Sequence, residues 1–427
     1  MNKQEVKDKA IAIMRRNDRG TYTVPTHGLY PFQWNWDSCL SALGFSQFDM
    51  DRALTELETL FDNQWEDGMV PHIIFHEHDD GYFPNSDVWQ TNRSVPTSGI
   101  TQPPVAAFAL SELFNRMADK SVYKTRVLQL LHKIHKWHCW FYECRADESG
   151  LVAIVHPWES GRDNSVDWDA AFERVPTDGV VPFVRRDTSH ANPEHRPTDE
   201  QYKRYIWLVQ QFRDLGWDNK SIAEQSAFQI VDPGFNGILI KSCLDLAELA
   251  RVFDEPEIES VERAFAERAL VGMERLWSET YGQYVCYDRV AGVYVQSPSI
   301  GGLLASFAPI PAQRAARIAD TIRTIGDNTN YLVASHPPGE TEFDELRYWR
   351  GPVWLIVNYM IAIGMREAKE QDVVERIFNN SIELIEKSGF AEYYGPISGS
   401  PCGGDTFTWT AAMVLEFVTY FDEALPE

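Results

Sequence analysis

The sequence lacks most of the features that would place a protein in a membrane, on a nucleic acid or outside the cell. No apolar run approaches the ~20 residues needed to span a bilayer. The stretch from Met1 to Gly20 is charged throughout (Lys3, Glu5, Lys7, Asp8, Lys9, Arg15, Arg16) and has no apolar core of the signal-peptide kind, so a cytoplasmic location is the expectation. Cysteine is sparse. Cys39, Cys139, Cys144, Cys243, Cys286 and Cys402 are widely scattered, and in that compartment free thiols rather than a disulfide framework are expected. Basic residues are outnumbered, with 39 Lys and Arg against 63 Asp and Glu. The formal net charge of -24 repels nucleic-acid phosphates and anionic membrane surfaces, so neither is an expected partner and an acidic ligand must be met by a local basic cluster. A Pro/Gly/Ser linker, a low-complexity stretch and a charge block are also missing, which predicts one domain over residues 1–427. The sequence is compatible with a monomer or a homo-oligomer.

Helical periodicity fills this chain. Apolar residues recur at three and four spacing in 4–15, 36–47, 51–63, 103–117, 121–142, 199–214, 235–253, 257–277, 298–308, 311–325, 351–367, 372–387 and 405–421. Strand-like alternation is confined to pieces such as Tyr22–Val24 and Gln283–Tyr287. About a dozen helices form hairpins, and closing six hairpins into a ring gives an all-α (α/α)6 toroid with short β hairpins in its loops. A solenoid is the competing arrangement, but the sequence shows no fixed-period repeat.

Aromatic residues make up 13% of the chain, with 14 Trp, and many fall in polar segments containing Gly or Pro. Examples are Tyr30 to Asp37, Gly68 to His72, Thr101 to Pro104, Trp158 to Ser165, Tyr348 to Trp354 and Glu392 to Pro396. In a toroid alternate loops gather at one mouth, so segments distant in sequence can converge there. An indole face suits the C–H groups of a sugar ring. Glycoside hydrolysis needs one protonated carboxylic acid and one carboxylate, and Asp163 and Glu392 stand apart in two such aromatic segments. Trp158 and restricted solvent would raise the pKa of Asp163. The same carboxylates also suit helix caps or ion pairs, and a single Trp suits the core.

These segments resemble glycoside hydrolase family 63, a family of (α/α)6 enzymes, from about Tyr30 to about Trp409. Glu159-Ser160-Gly161-Arg162-Asp163-Asn164-Ser165 is similar to the family's general-acid loop. Tyr348-Trp349-Arg350-Gly351-Pro352-Val353-Trp354 and Glu392-Tyr393-Tyr394-Gly395-Pro396 are similar to its later motifs. The resemblance implies an inverting α-glycoside hydrolase with Asp163 as acid and Glu392 as base, their carboxyls roughly 6.5–9.5 Å apart to admit a water. It further implies that Tyr30, Trp36, Asp37, Tyr82, Gln102, Trp158, Gly161, Tyr348, Trp349 and Trp354 surround the sugar. The short chain most resembles the bacterial glucosylglycerate and mannosylglycerate hydrolases, in which a loop like residues 184–205 covers the substrate. That likeness puts Arg196 and Tyr202 on the glycerate carboxylate, where an acidic protein needs its basic cluster. One departure is Ser398 to Gly404, which offers no Gln or Arg for a further aglycone contact.

No cofactor or metal is expected. His132, His135 and His138 drift around a helix at a spacing of three, His72, His76 and His78 cluster near acidic residues, and neither group has a nearby Cys or carboxylate completing a ligand set. Cys139 and Cys144, five apart, point to different helix faces. The alternatives are a glucosidase acting on neutral glucosides or disaccharides, a sugar 2-epimerase or isomerase on the same toroid, and a non-catalytic carbohydrate-binding protein. An epimerase would need histidines in the late motifs, where Glu392 stands instead.

Overall fold

The computed structural model describes residues 3–185 and 192–420. Its main helices are α1 (Lys3–Asn17), α2 (Asn35–Ser46), α3 (Met50–Phe61), α4 (Ala106–Arg116), α5 (Lys120–Cys144), α6 (Asp199–Asp214), α7 (Pro233–Val252), α8 (Pro256–Met273), α9 (Ile300–Leu304), α10 (Ala312–Gly326), α11 (Leu355–Glu367), α12 (Gln371–Ser388) and α13 (Thr408–Tyr420). Helix α9 continues into the tighter turn Ala305–Phe307.

Two kinds of apolar pattern separate two layers. In α2 every residue from Asn35 to Phe45 is buried, and in α11 every residue from Leu355 to Met365, as expected of helices covered on all sides. In α3 and α12 burial follows one stripe, such as Val373, Val374, Ile377, Phe378, Ser381, Leu384 and Ile385, and the opposite face is charged. Helices α2, α4, α7, α9, α11 and α13 pack successively on one another, and α13 returns to α2, which closes the inner ring. Helices α1, α3, α5, α8, α10 and α12 lie outside. Each outer helix precedes an inner one, so six hairpins form the expected (α/α)6 toroid. At one end of the inner ring, buried Glu416 of α13 accepts two bonds from Arg116 of α4 (2.6 Å each) and one from Tyr359 of α11 (2.7 Å). This buried charge is fully paired, and removing one partner would strand the other.

The segments before the inner helices gather at the other end. Tyr30 to Trp34 lead into α2, Gln102 precedes α4, Asp163 lies in the long connection ahead of α7, and Tyr348 and Glu392 precede α11 and α13. Three inner helices begin three or four residues later than periodicity suggests, at Ala106, Leu355 and Thr408, because the preceding residues are committed to this mouth. Pro103 and Pro104 lack backbone donors, and Val353 exchanges both backbone hydrogen bonds with Tyr394. Tyr22–Val24 is not a strand. Only Thr23 pairs, in an isolated bridge to Asp18. Gln283–Tyr284 and Tyr287–Asp288 belong to two different small sheets. The short helices Ser86–Trp89, Asp169–Glu173 and Asn219–Gln225 were not visible as periodicity, since fewer than about two turns cannot express it.

The histidines of α5 sit differently from what their spacing suggests. Glu262, on α8, is buried and bonds both His135 (2.7 Å) and His138 (2.8 Å), and Cys243 of α7 lies 3.7 Å from His138. The carboxylate and thiol that the sequence near these histidines does not offer are thus supplied by other helices, because residues more than 100 positions apart meet between layers. His138, Cys243 and Glu262 place ligand-type atoms within 4.8 Å of one another, with the histidines and the carboxylate already satisfied by hydrogen bonds. His72, His76 and His78 do not converge: His72 bonds Ser98, His76 bonds Gln33 and His78 pairs with Asp80.

Candidate active site

The mouth of the toroid opens into a cavity of about 280 Å³. Twelve of the fourteen residues singled out from the sequence line it: Tyr30, Trp36, Asp37, Tyr82, Gln102, Trp158, Gly161, Asp163, Arg196, Tyr202, Tyr348 and Glu392. Trp349 and Trp354 do not. They stack on each other (centroids 3.9 Å apart, planes 2° from parallel) behind Tyr348 and Tyr393 and brace the wall from outside. Of the segment 184–205, residues 186–191 lie outside the described residues, including Arg186 and Asp187 of the basic stretch.

Glu392 is held from three directions. Its Oε1 accepts hydrogen bonds from the Tyr348 hydroxyl (3.1 Å) and the Tyr30 hydroxyl (3.3 Å), and its Oε2 accepts the Gly404 N–H (3.0 Å). Burial pushes its pKa up, while the Arg196 guanidinium, the Gly404 N–H and the two tyrosines pull it back. The segment that offered no Gln or Arg therefore serves the carboxylate instead. Gly403 (φ 72°) comes so close that a Cβ there would lie 2.1 Å from Oε2 of Glu392. The Gly-Gly pair was the available signal, since glycine marks close approach of a backbone.

Gly403→Ala should therefore displace Glu392 and lower kcat by roughly 100-fold, the scale of a 1 Å misplacement at a reacting centre. Gly339→Ala is the control. Gly339 is also left-handed (φ 101°), but a Cβ there meets nothing within 4 Å, so only backbone strain is added. Equal kcat losses in the two variants would contradict the clash.

Asp163 sits on a loop that is anchored below it. Arg162 is buried, bonds Asp167 (3.1 Å) and Asp232 (2.8 Å), and stacks on Trp168. Asp232 in turn caps α7, so the loop is fixed to an inner helix. Gly161 (φ 69°) brings the backbone against Trp36, where a Cβ would fall 2.6 Å from the indole. The Asp163 carbonyl accepts the Tyr205 hydroxyl (2.8 Å), and its carboxyl has no side-chain hydrogen-bond partner among the described residues. Burial lifts its pKa to about 7, with Arg196 opposing the rise and Glu392 adding to it. The pair is thus differentiated: a carboxyl that keeps its proton near neutrality, and a carboxylate bonded by three donors.

Around them Asp37 is a third buried carboxyl, its pKa raised well above the ordinary range by burial and then by Glu392. Gln102 accepts the Trp36 N–H (3.2 Å) through Oε1. Trp158 lies between His72 and Tyr205, and burial holds both His72 and His156 neutral, His156 at about 3. Arg196 is buried, donates to the Tyr30 hydroxyl (2.7 Å) and lies over the Tyr348 ring. Tyr202 donates to the Phe83 carbonyl (3.1 Å), which ties α6 to the opposite rim. Sequence reasoning missed Trp34, His72, Tyr205, Phe407 and Trp409, which also line the cavity. Trp34 and Tyr205 stood in segments already noted, whereas Phe407 and Trp409 read as helix α13.

A closed ring of six helical hairpins with two unlike carboxyls in an aromatic mouth defines a toroidal glycoside hydrolase. The comparisons with known proteins agree. Residues 30–410 match the model of the mannosylglycerate hydrolase MGH1-like glycoside hydrolase domain, and the chain belongs to that family. It is 44% identical to the mannosylglycerate hydrolase of Thermus thermophilus, over 95% of this chain and 99% of that one. Identity to the glucosylglycerate hydrolase of Mycolicibacterium hassiacum is 31%, covering 96% of this chain and 97% of that one. The crystal structure of a GH63 mannosylglycerate hydrolase from Thermus thermophilus in complex with Tris and D-glycerate superposes with a TM-score of 0.93, covering 97% of this chain and 100% of that one.

Proposed function

We propose that the chain hydrolyses mannosylglycerate or glucosylglycerate by a single displacement, releasing the sugar and glycerate. One observation carries the reading: a cationic group, Arg196, is buried in the same small cavity as the two unlike carboxyls, where an anionic aglycone would need it. The mannosylglycerate and glucosylglycerate hydrolases among the relatives and the glycerate-bound structure point the same way. Asp163 is the general acid and gives its proton to the glycosidic oxygen as the bond to the anomeric carbon breaks. Glu392 is the general base and takes a proton from a water that attacks the opposite face. Asp37 and Gln102 hold sugar hydroxyls, the aromatic walls exclude bulk water, and Arg196 with Tyr202 receives the carboxylate.

The test is NMR of the first minutes of hydrolysis of α-mannosylglycerate and α-glucosylglycerate. The β-anomer should appear first, followed by mutarotation. Initial α-anomer would make Glu392 a nucleophile. A preference for neutral disaccharides over both glycerates would replace the reading with a general α-glucosidase.

A further inference from the structure

A second polar cluster, which the proposed reaction does not use, lies where α5, α7 and α8 meet. His135, His138 and Cys139 are spaced by three and four residues and so share one face of α5, with Cys243 on α7 and Glu262 on α8 beside them. His138, Cys243 and Glu262 have no solvent exposure, and none of the five residues lines the catalytic cavity. Nδ1 of each histidine meets an oxygen of Glu262, at 2.7 Å from His135 and 2.8 Å from His138, and Cys243 Sγ lies 3.7 Å from His138 Nδ1. The other nitrogen of His138 lies 3.2 Å from the Ser242 hydroxyl, the kind of outer partner that orients an imidazole ligand.

We propose that His138, Cys243 and Glu262 bind a zinc ion that clamps α5 and α8 onto α7, with His135 placed to supply the fourth ligand. The donors select the ion. Imidazole, thiolate and carboxylate together suit zinc, whereas calcium and magnesium take oxygen ligands. A tetrahedral zinc ion holds a nitrogen and a sulfur ligand about 3.5 Å apart, close to the His138–Cys243 separation. The shorter His138–Glu262 hydrogen bond opens by roughly half an ångström when the ion replaces its proton. Thiolate and carboxylate cancel the charge of the ion, so the buried unit is neutral. Binding displaces the thiol proton and those of the histidine–carboxylate hydrogen bonds to solvent. His135, whose side chain is 22% exposed, and half-buried Cys139 mark the way in.

The protein stripped with a chelator should take up one zinc per chain, and excess zinc should raise its melting temperature, because the ion binds the folded state. Cobalt in place of zinc should show thiolate-to-cobalt charge-transfer absorption. Cys243→Ala should lose that absorption and bind zinc more than about 100-fold more weakly, beyond the loss that an outer-shell change brings. Cys139→Ala should keep both, and circular dichroism checks that each variant is folded. Wild-type protein that takes up no stoichiometric zinc, or takes up cobalt without the absorption, has a hydrogen-bonded staple only and overturns the proposal without recourse to a variant. Zinc affinity and cobalt absorption unchanged in folded Cys243→Ala overturn it as well, by placing the ion elsewhere.

Discussion

Asp163→Asn and Glu392→Gln should each reduce hydrolysis of a glycosylglycerate by roughly 10²–10⁴-fold, the worth of a positioned acid or base, with little change in binding. The two losses should differ in kind. A glycosyl fluoride leaves without protonation, so Asp163→Asn should recover much of its rate on that substrate. Glu392→Gln should not, because attacking water still needs a base. Folding gives a separate check. The folded-state pKa of Asp163, about 7, lies above its ordinary 3.8, so the stability linked to its proton is lost as pH rises between those values. An uncharged Asn avoids that loss, and Asp163→Asn should melt no lower than wild type at pH 8. An inactive Asp163→Asn that melts well below wild type would point to a structural carboxyl, and activity within tenfold of wild type in either variant would remove that residue from the pair.

Arg196→Ala should lower kcat/KM on the glycerate substrate by about 1.5–3 kcal/mol more than on the corresponding glycerol substrate, the range of a hydrogen bond to a charged group. The ratio is the proper readout. Arg196 also braces Tyr30 and stacks on Tyr348, so its removal should cost both substrates something. Only the carboxylate loses a charged partner, and the chain's formal charge of -24 supplies no general attraction to replace it. Steady-state assays with both substrates would show equal losses if Arg196 merely shaped the mouth.

The helices were legible because helical spacing is local: all thirteen periodic segments fold as helices, with ends shifted by a few residues where the mouth claims the backbone. The lining was legible where side-chain chemistry marks it, as with the carboxyls and aromatics of Tyr30 to Asp37 and Trp158 to Asp163. What stayed hidden depends on through-space relations. Trp349 and Trp354 share composition with the wall but stack behind it. Gly403 has no side chain to announce its contact with Glu392. Glu262 joins two histidines from a helix more than 120 residues away.

The ring closes between its first and last helices. Asn17 at the end of α1 donates to Thr408 at the start of α13, Thr26 donates to the Asp405 carbonyl, and Tyr30 reaches across 362 positions to Glu392. The cavity therefore takes its parts from both ends of the sequence, and a nascent chain carries Tyr30, Asp37 and Asp163 long before Glu392 is synthesised. Such a chain lacks the proposed base, Glu392, and the last wall of the cavity. On the proposed mechanism, activity waits on the last hairpin, which must meet the first before Glu392 joins the rest of the cavity.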